Sequence, residues 1–214
     1  NKDSDNALAA GCSHLFRYTG RLAGYIPLSK KGLTLALSVR SGVIHHLVRD
    51  PDKTDDVVLP ESKAYPDRLF YVGGVDTLRG YPQDSLVPQD LADRVVQPDT
   101  PPDEVLTIQD IVLRGGDFFI APRVELRIPL VGSLETAIFI DAGNVWTDPN
   151  TINPFNLRYS FGTGLRVDTP VGPLVFDYGF NFDRVLNELG FVLEGRPPRT
   201  WEDLGAFHFS IGLF

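Results

Sequence analysis

The chain has 214 residues, of which 43% are hydrophobic, 11% aromatic and 22% charged, a balance that excludes a disordered tail or a fibrous repeat. No run of about 18 apolar residues occurs, which excludes a helical membrane span but not a membrane β-barrel, whose strands are apolar only at alternate positions. The net charge of −8 argues against nucleic acid as a partner, and the single cysteine, Cys12, excludes an internal disulfide framework.

Residues 1–12 read as a polar lead-in, and the remainder, 13–214, as a succession of strands. His14–Leu28 and Leu33–Val43 alternate with some noise. Next comes a long acidic excursion, 49–115, with 12 Asp and 2 Glu against 7 Lys and Arg; it includes a proline-rich run at 87–105 that reads as an external loop. Phe118–Ile128 places Phe118, Ile120, Val124, Leu126 and Ile128 on one face and Arg123, Glu125 and Arg127 on the other. Leu134–Trp146, Leu157–Val167, Leu174–Phe182 and Phe207–Leu213 complete a set of seven strands. Asp183–Leu204 is read as a long loop.

Several of these runs exceed the usual soluble strand of about 5–6 residues and reach the roughly 9–11 needed to cross a bilayer at a tilt. Small and charged residues (Gly162, Gly164, Arg123, Arg127, Arg166) occupy the polar faces, which suits a wet lumen. The connections alternate between short (Ser29–Gly32, Pro129–Ser133, Thr169–Pro173) and long (Arg49–Gly115, Trp146–Asn156, Asp183–Leu204), as in outer-membrane barrels. The expected fold class is therefore all-β: the C-terminal portion, about seven antiparallel strands, of a transmembrane β-barrel. Such barrels use an even number of about 8 or more strands, and the chain lacks Met, so more strands are expected before Asn1.

The acidic excursion carries YVGGVDTLRGY, Tyr71 to Tyr81. Gly73, Gly74 and Gly80 permit sharp turns or close packing, and Arg79 offers a planar fork suited to a bidentate carboxylate contact. By strand phase, Asp141 and Glu125 fall on polar faces and are its candidate partners. The motif, followed by RVELRIPL (Arg123–Leu130), FIDAGNVW (Phe139–Trp146), GLRVDTPVGPLVFDYGF (Gly164–Phe180) and a terminal FHFSIGLF (Phe207–Phe214), resembles the BamA/TamA family of outer-membrane assembly proteins in both content and order.

That resemblance implies a long extracellular loop folded into the lumen, with Gly73, Gly74, Leu78, Arg79, Gly80 and Tyr81 as its anchor motif, Tyr81 as the packing aromatic, and Asp141 and Glu125 as the carboxylates that meet Arg79. It also implies a protein of the bacterial outer membrane that folds and inserts client β-barrel proteins without cofactor, with the lipid bilayer, unfolded barrel clients and accessory lipoproteins as partners. The first and last strands would form a weak lateral seam, here involving Phe207, Phe209, Ile211, Gly212 and Phe214, while the loop braces the wall opposite this gate. Phe214 is out of phase with Phe207, Phe209 and Ile211, so a bulge near Gly212 or an end to the strand is expected. A same-superfamily transporter of one large secreted partner, a passive channel and a soluble β-sandwich are the rival readings. Asp141→Arg is expected to restore Arg79→Glu, and absence of rescue in the double variant would count against the loop anchor.

Other signals carry less. LAAGC (Leu8–Cys12) lacks the basic and apolar segments of a lipoprotein signal. His45 and His46 point to opposite faces of a strand, and His14 and His208 sit in no motif, so no metal site is expected. GGVDTLRG has neither the spacing nor the ending of a phosphate loop. Asp141 and Glu125 have the carboxylates of a glycosidase pair, but the arginines on the same faces make a salt-bridge network the simpler account, and no enzyme is expected.

Overall fold

The computed structural model describes residues 15–46, 68–89, 115–148, 152–153, 155–170, 172–193 and 204–211. Seven antiparallel strands follow one another as a simple meander: β1 Leu15–Pro27, β2 Thr34–His46, β3 Phe118–Val131, β4 Leu134–Trp146, β5 Arg158–Val167, β6 Leu174–Asn181 and β7 Gly205–Ile211. Each neighbours the next in sequence, so β1 and β7 are the two edges of the sheet. All seven expected strands are present. Cys12, His14, Gly212, Phe214 and residues 90–105 of the proline-rich run lie outside the described residues.

Alternation works out as physical faces. On β6, Phe176 points outward and is exposed, while Val175, Asp177, Gly179 and Asn181 are buried on the inner face. On β4, Ile138 and Ile140 are exposed and Ala137, Phe139 and Asp141 buried. The outer face as a whole is apolar and bare, with Leu22, Leu37, Val124, Ile138, Ile140, Leu165, Phe176 and Phe209 among its exposed side chains. A water-facing sheet would not leave so wide an apolar surface uncovered, whereas a lipid-facing one requires it.

The inner face of β2 to β6 is covered in part by the stretch 68–89, whereas β1 is exposed from Phe16 to Pro27. Phe70 exchanges backbone hydrogen bonds with Gly116 at 2.9 Å in both directions, and the Leu86 N–H donates to Val72 at 3.0 Å. Leu69, Phe70, Val72, Leu78 and Leu86 pack on Ile44, Phe119, Ala121 and Val145 to form the apolar core. That core lies between the loop and the inner wall, not between two sheets. Fully burying a side chain such as Leu78 contributes about 1.5–3 kcal/mol.

One element departs from the expectation. Phe182–Leu193 is an α-helix, here α1, where a loop was read. Its apolar residues Phe182, Val185, Leu186 and Leu189 recur at helical spacing, Asp183 stands in its first turn, and the Asn181 side chain caps it by accepting from the Arg184 N–H at 3.1 Å. The strand alternation of β6 runs straight into this segment through Phe180 and Phe182, and that masks the change of period.

Candidate functional site

The turn that presents Arg79 is built from the backbone outward. Gly73 and Gly74 have φ of 120° and 92°, a region that side-chain-bearing residues avoid. The Gly73 N–H donates to Thr77 Oγ1 at 2.8 Å, and the Gly74 N–H reaches the carbonyls of Leu78 at 3.0 Å and Tyr81 at 3.1 Å. The result is a compact knot with Leu78 and Arg79 at its tip. Leu78 lies against Gly143 of β4 and Gly80 against Ser160 of β5 and Phe180 of β6. Gly179 of β6 faces the Arg79 carbonyl so closely that any Cβ there would overlap it.

Arg79 has no solvent exposure. Its Nε and Nη2 donate to the two oxygens of Asp141 at 2.8 and 2.7 Å, and its backbone N–H donates to the same carboxylate at 3.2 Å. Nη1 donates to Glu125 at 2.8 Å and to Asp177 at 2.9 Å. The guanidinium also lies over the ring of Phe139, 3.4 Å from its centroid. Burial alone would lower the pKa of Arg79, but the hydrogen bond and charge of Asp141, with Asp177 and Glu125, outweigh it and raise it.

The carboxylates are themselves held by further cations. Arg166 donates to Glu125 at 2.7 Å and stands 3.4 Å from Asp177, Arg127 donates to Glu125 at 2.7 Å, and Arg123 lies 3.4 Å from Asp141. Four guanidinium groups and three carboxylates thus interlock across β3, β4, β5 and β6. Buried charges of this kind are tolerated only when mutually compensated. Among the described residues no group of His, Cys, Asp and Glu side chains is arranged to hold a metal ion. Every carboxylate here is paired with an arginine, an arrangement that fixes geometry.

Arg79, Asp141 and Glu125 are therefore brought together. Tyr81 is half-buried against the core cluster, and burial and the charge of Asp183 push its phenol up to about 12. Phe207, Phe209 and Ile211 lie on the outer face of β7, with Phe209 and Phe207 packed 5.0 and 6.5 Å from the ring of Phe176. Sequence reasoning missed three participants. Asp177 shares the inner phase of β6 and could have been found from it, and Phe139 is two residues before Asp141 on one face. His208 was set aside for want of a motif; its Nε2 stands 2.8 Å from the Arg79 carbonyl oxygen, a main-chain partner that no side-chain pattern reveals.

The expectation that the loop braces the wall opposite the last strand is corrected by the same contacts. Gly80 sits on β5 and β6, Arg79 on Gly179, and His208 of β7 touches Arg79 directly. The loop is docked beside the edge strand, not across from it.

Residues 3–214 match the Omp85 superfamily domain. This chain belongs to the Omp85 superfamily. It is similar to the outer membrane protein assembly factor BamA of Nitratidesulfovibrio vulgaris, 29% identical over 150 residues, covering 68% of this chain and 15% of that protein. It is also similar to the chloroplastic outer envelope protein 80 of Arabidopsis thaliana, 25% identical over 159 residues, covering 71% of this chain and 15% of that protein. The chain thus spans about 15% of the length of these curated relatives. The crystal structure of BamA from Haemophilus ducreyi lacking POTRA domains 1-3 superimposes with a TM-score of 0.52 at 22% identity, covering 78% of this chain and 32% of that one. Membership in the Omp85 superfamily and the apolar outer face agree: this is an outer-membrane β-barrel protein whose seven strands form part of the barrel wall.

Proposed function

We propose that this Omp85 chain is the anchored part of an outer-membrane assembly factor, which folds and inserts client β-barrel proteins through a lateral seam beside β7, without cofactor and without enzymatic chemistry. The observation that carries this reading is the link from the Arg79 cluster to the edge strand. Arg79 is locked by three carboxylates, and its carbonyl holds His208 of β7. Among the described residues β7 pairs with β6 over seven positions, against eleven between β3 and β4. Gly205 begins it without a side chain to pack. Once parted from a neighbour, such an edge offers unpaired N–H and C=O groups to which a client strand adds by main-chain hydrogen bonds. The name of the Nitratidesulfovibrio relative supports the assembly role. On this reading its partners are the outer-membrane bilayer, unfolded barrel clients and accessory lipoproteins.

The test is replacement of the native protein in cells by Arg79→Ala or Arg79→Lys. The folded fraction of other outer-membrane barrels, read by heat-modifiable electrophoretic mobility, should fall with either variant. Loss of one secreted protein with all other barrels folding normally would instead identify a transporter, and depletion of the whole protein that leaves both intact would identify a passive channel.

A further inference from the structure

The outer face at one end of β5 and β6 is aromatic. Phe161 and Phe180 are register partners with rings stacked at 5.4 Å; Tyr178 meets Phe180 edge-on at 4.7 Å, and Tyr159 is exposed beside them. Belts of this kind mark the membrane–water boundary of barrels. They lie at the loop end of these strands, away from the tight turn at 168–173. The outward row on β6 runs Leu174, Phe176, Tyr178, Phe180 and then Phe182, the first residue of α1, whose ring stands edge-on to Phe161 at 6.3 Å.

From that point residues 182–189 of the helix divide into three sectors. Phe182, Leu186 and Leu189, at i, i+4 and i+7, form one stripe and are 41%, 50% and 56% exposed. Val185 is half-buried and Glu188 is 7% exposed on the side that packs against β5 and β6. Asp183, Arg184 and Asn187 are exposed on the remaining, polar side. At about 100° per residue, Asn187 falls roughly 130° round from the apolar stripe. A helix surrounded by water would have no reason to expose its apolar stripe while burying a glutamate. A helix lying flat at a boundary has three environments, and these three sectors match protein, lipid and water.

We propose that α1 is an interfacial helix, continuous with the aromatic belt of β5 and β6, that lies on the lipid surface with Phe182, Leu186 and Leu189 in the boundary between headgroups and acyl chains. Its occupant is the bilayer, because the stripe begins at a residue already in the lipid-facing row. The helix widens the lipid-contacting surface at the loop end of β5 and β6. This assignment is independent of what the protein does to clients.

The test uses the intact protein with Cys12→Ser and single cysteines introduced as Leu186→Cys, Leu189→Cys or Asn187→Cys, each carrying an environment-sensitive fluorophore. The protein is reconstituted in vesicles of phosphatidylethanolamine and phosphatidylglycerol, and folding of each variant is verified by heat-modifiable mobility. Nitroxides high on the acyl chain sit near the depth of about 5–10 Å that interfacial helices reach. They are expected to quench the labels at 186 and 189 by roughly half, to leave the label at 187 unquenched, and to accompany a blue-shifted emission at the first two sites only. If one leucine variant does not fold, the other carries the comparison with 187. Water-like, unquenched emission at the leucine sites would overturn the proposal. Blue-shifted emission there without lipid quenching would also overturn it, by indicating a protein cover such as a second copy.

Discussion

The Arg79 cluster and strand β7 touch, through His208 on the Arg79 carbonyl and through the pairing of Asp177 with His208, yet are opposites physically. The first is sealed: a guanidinium with no exposure, three carboxylates and an aromatic ring, each fixed by several partners. The second is a seven-residue edge with ladder partners on one side among the described residues, and apolar side chains turned outward. A rigid centre beside an edge strand with one described ladder neighbour confines opening to that edge, since elements with few contacts open at low free energy. The contrast teaches that the buried charges need not serve catalysis; they can fix the support to which the edge strand is tied.

Breaking the sealed side should have the largest effect. Arg79→Ala leaves Asp141, Asp177 and Glu125 facing one another without their shared cation and is expected to destabilise by about 3–5 kcal/mol, measured as the shift in urea unfolding midpoint in detergent. Arg79→Glu will not be rescued by Asp141→Arg, contrary to the rescue expected from sequence, because a carboxylate at position 79 would still face Glu125 and Asp177. Rescue in that double variant would show that the pair with Asp141 dominates. Leu78→Ala removes the apolar half of the loop tip and should cost about 2–5 kcal/mol in the same assay. Gly179→Ala inserts a methyl group against the Arg79 backbone. It should cost about 1–3 kcal/mol and expose the loop to limited proteolysis. The smallest effect is expected at the link itself: His208→Ala removes one hydrogen bond worth about 0.5–1.5 kcal/mol, leaving the loop docked while hydrogen exchange in β7 accelerates.

The strands and their faces were legible because a half-exposed barrel wall writes its geometry in period two. Asp141 and Glu125 could be assigned to the inner face from phase alone. The sharing of one guanidinium among three carboxylates was not legible, because it depends on strand register and on Gly164 leaving room for Asp177 to lean across. α1 was hidden where an outward strand residue doubles as the first position of a helical stripe. His208 was hidden because its partner is a backbone carbonyl, and with it the placement of the loop beside β7.

The central claim is that the anchored loop holds the edge strand, and hydrogen–deuterium exchange on the intact protein tests it most directly. In Arg79→Ala, peptides covering 204–211 should lose protection strongly while those covering 34–46, on the far side of the sheet, keep theirs. Equal protection of 204–211 in the native and variant proteins would contradict the account.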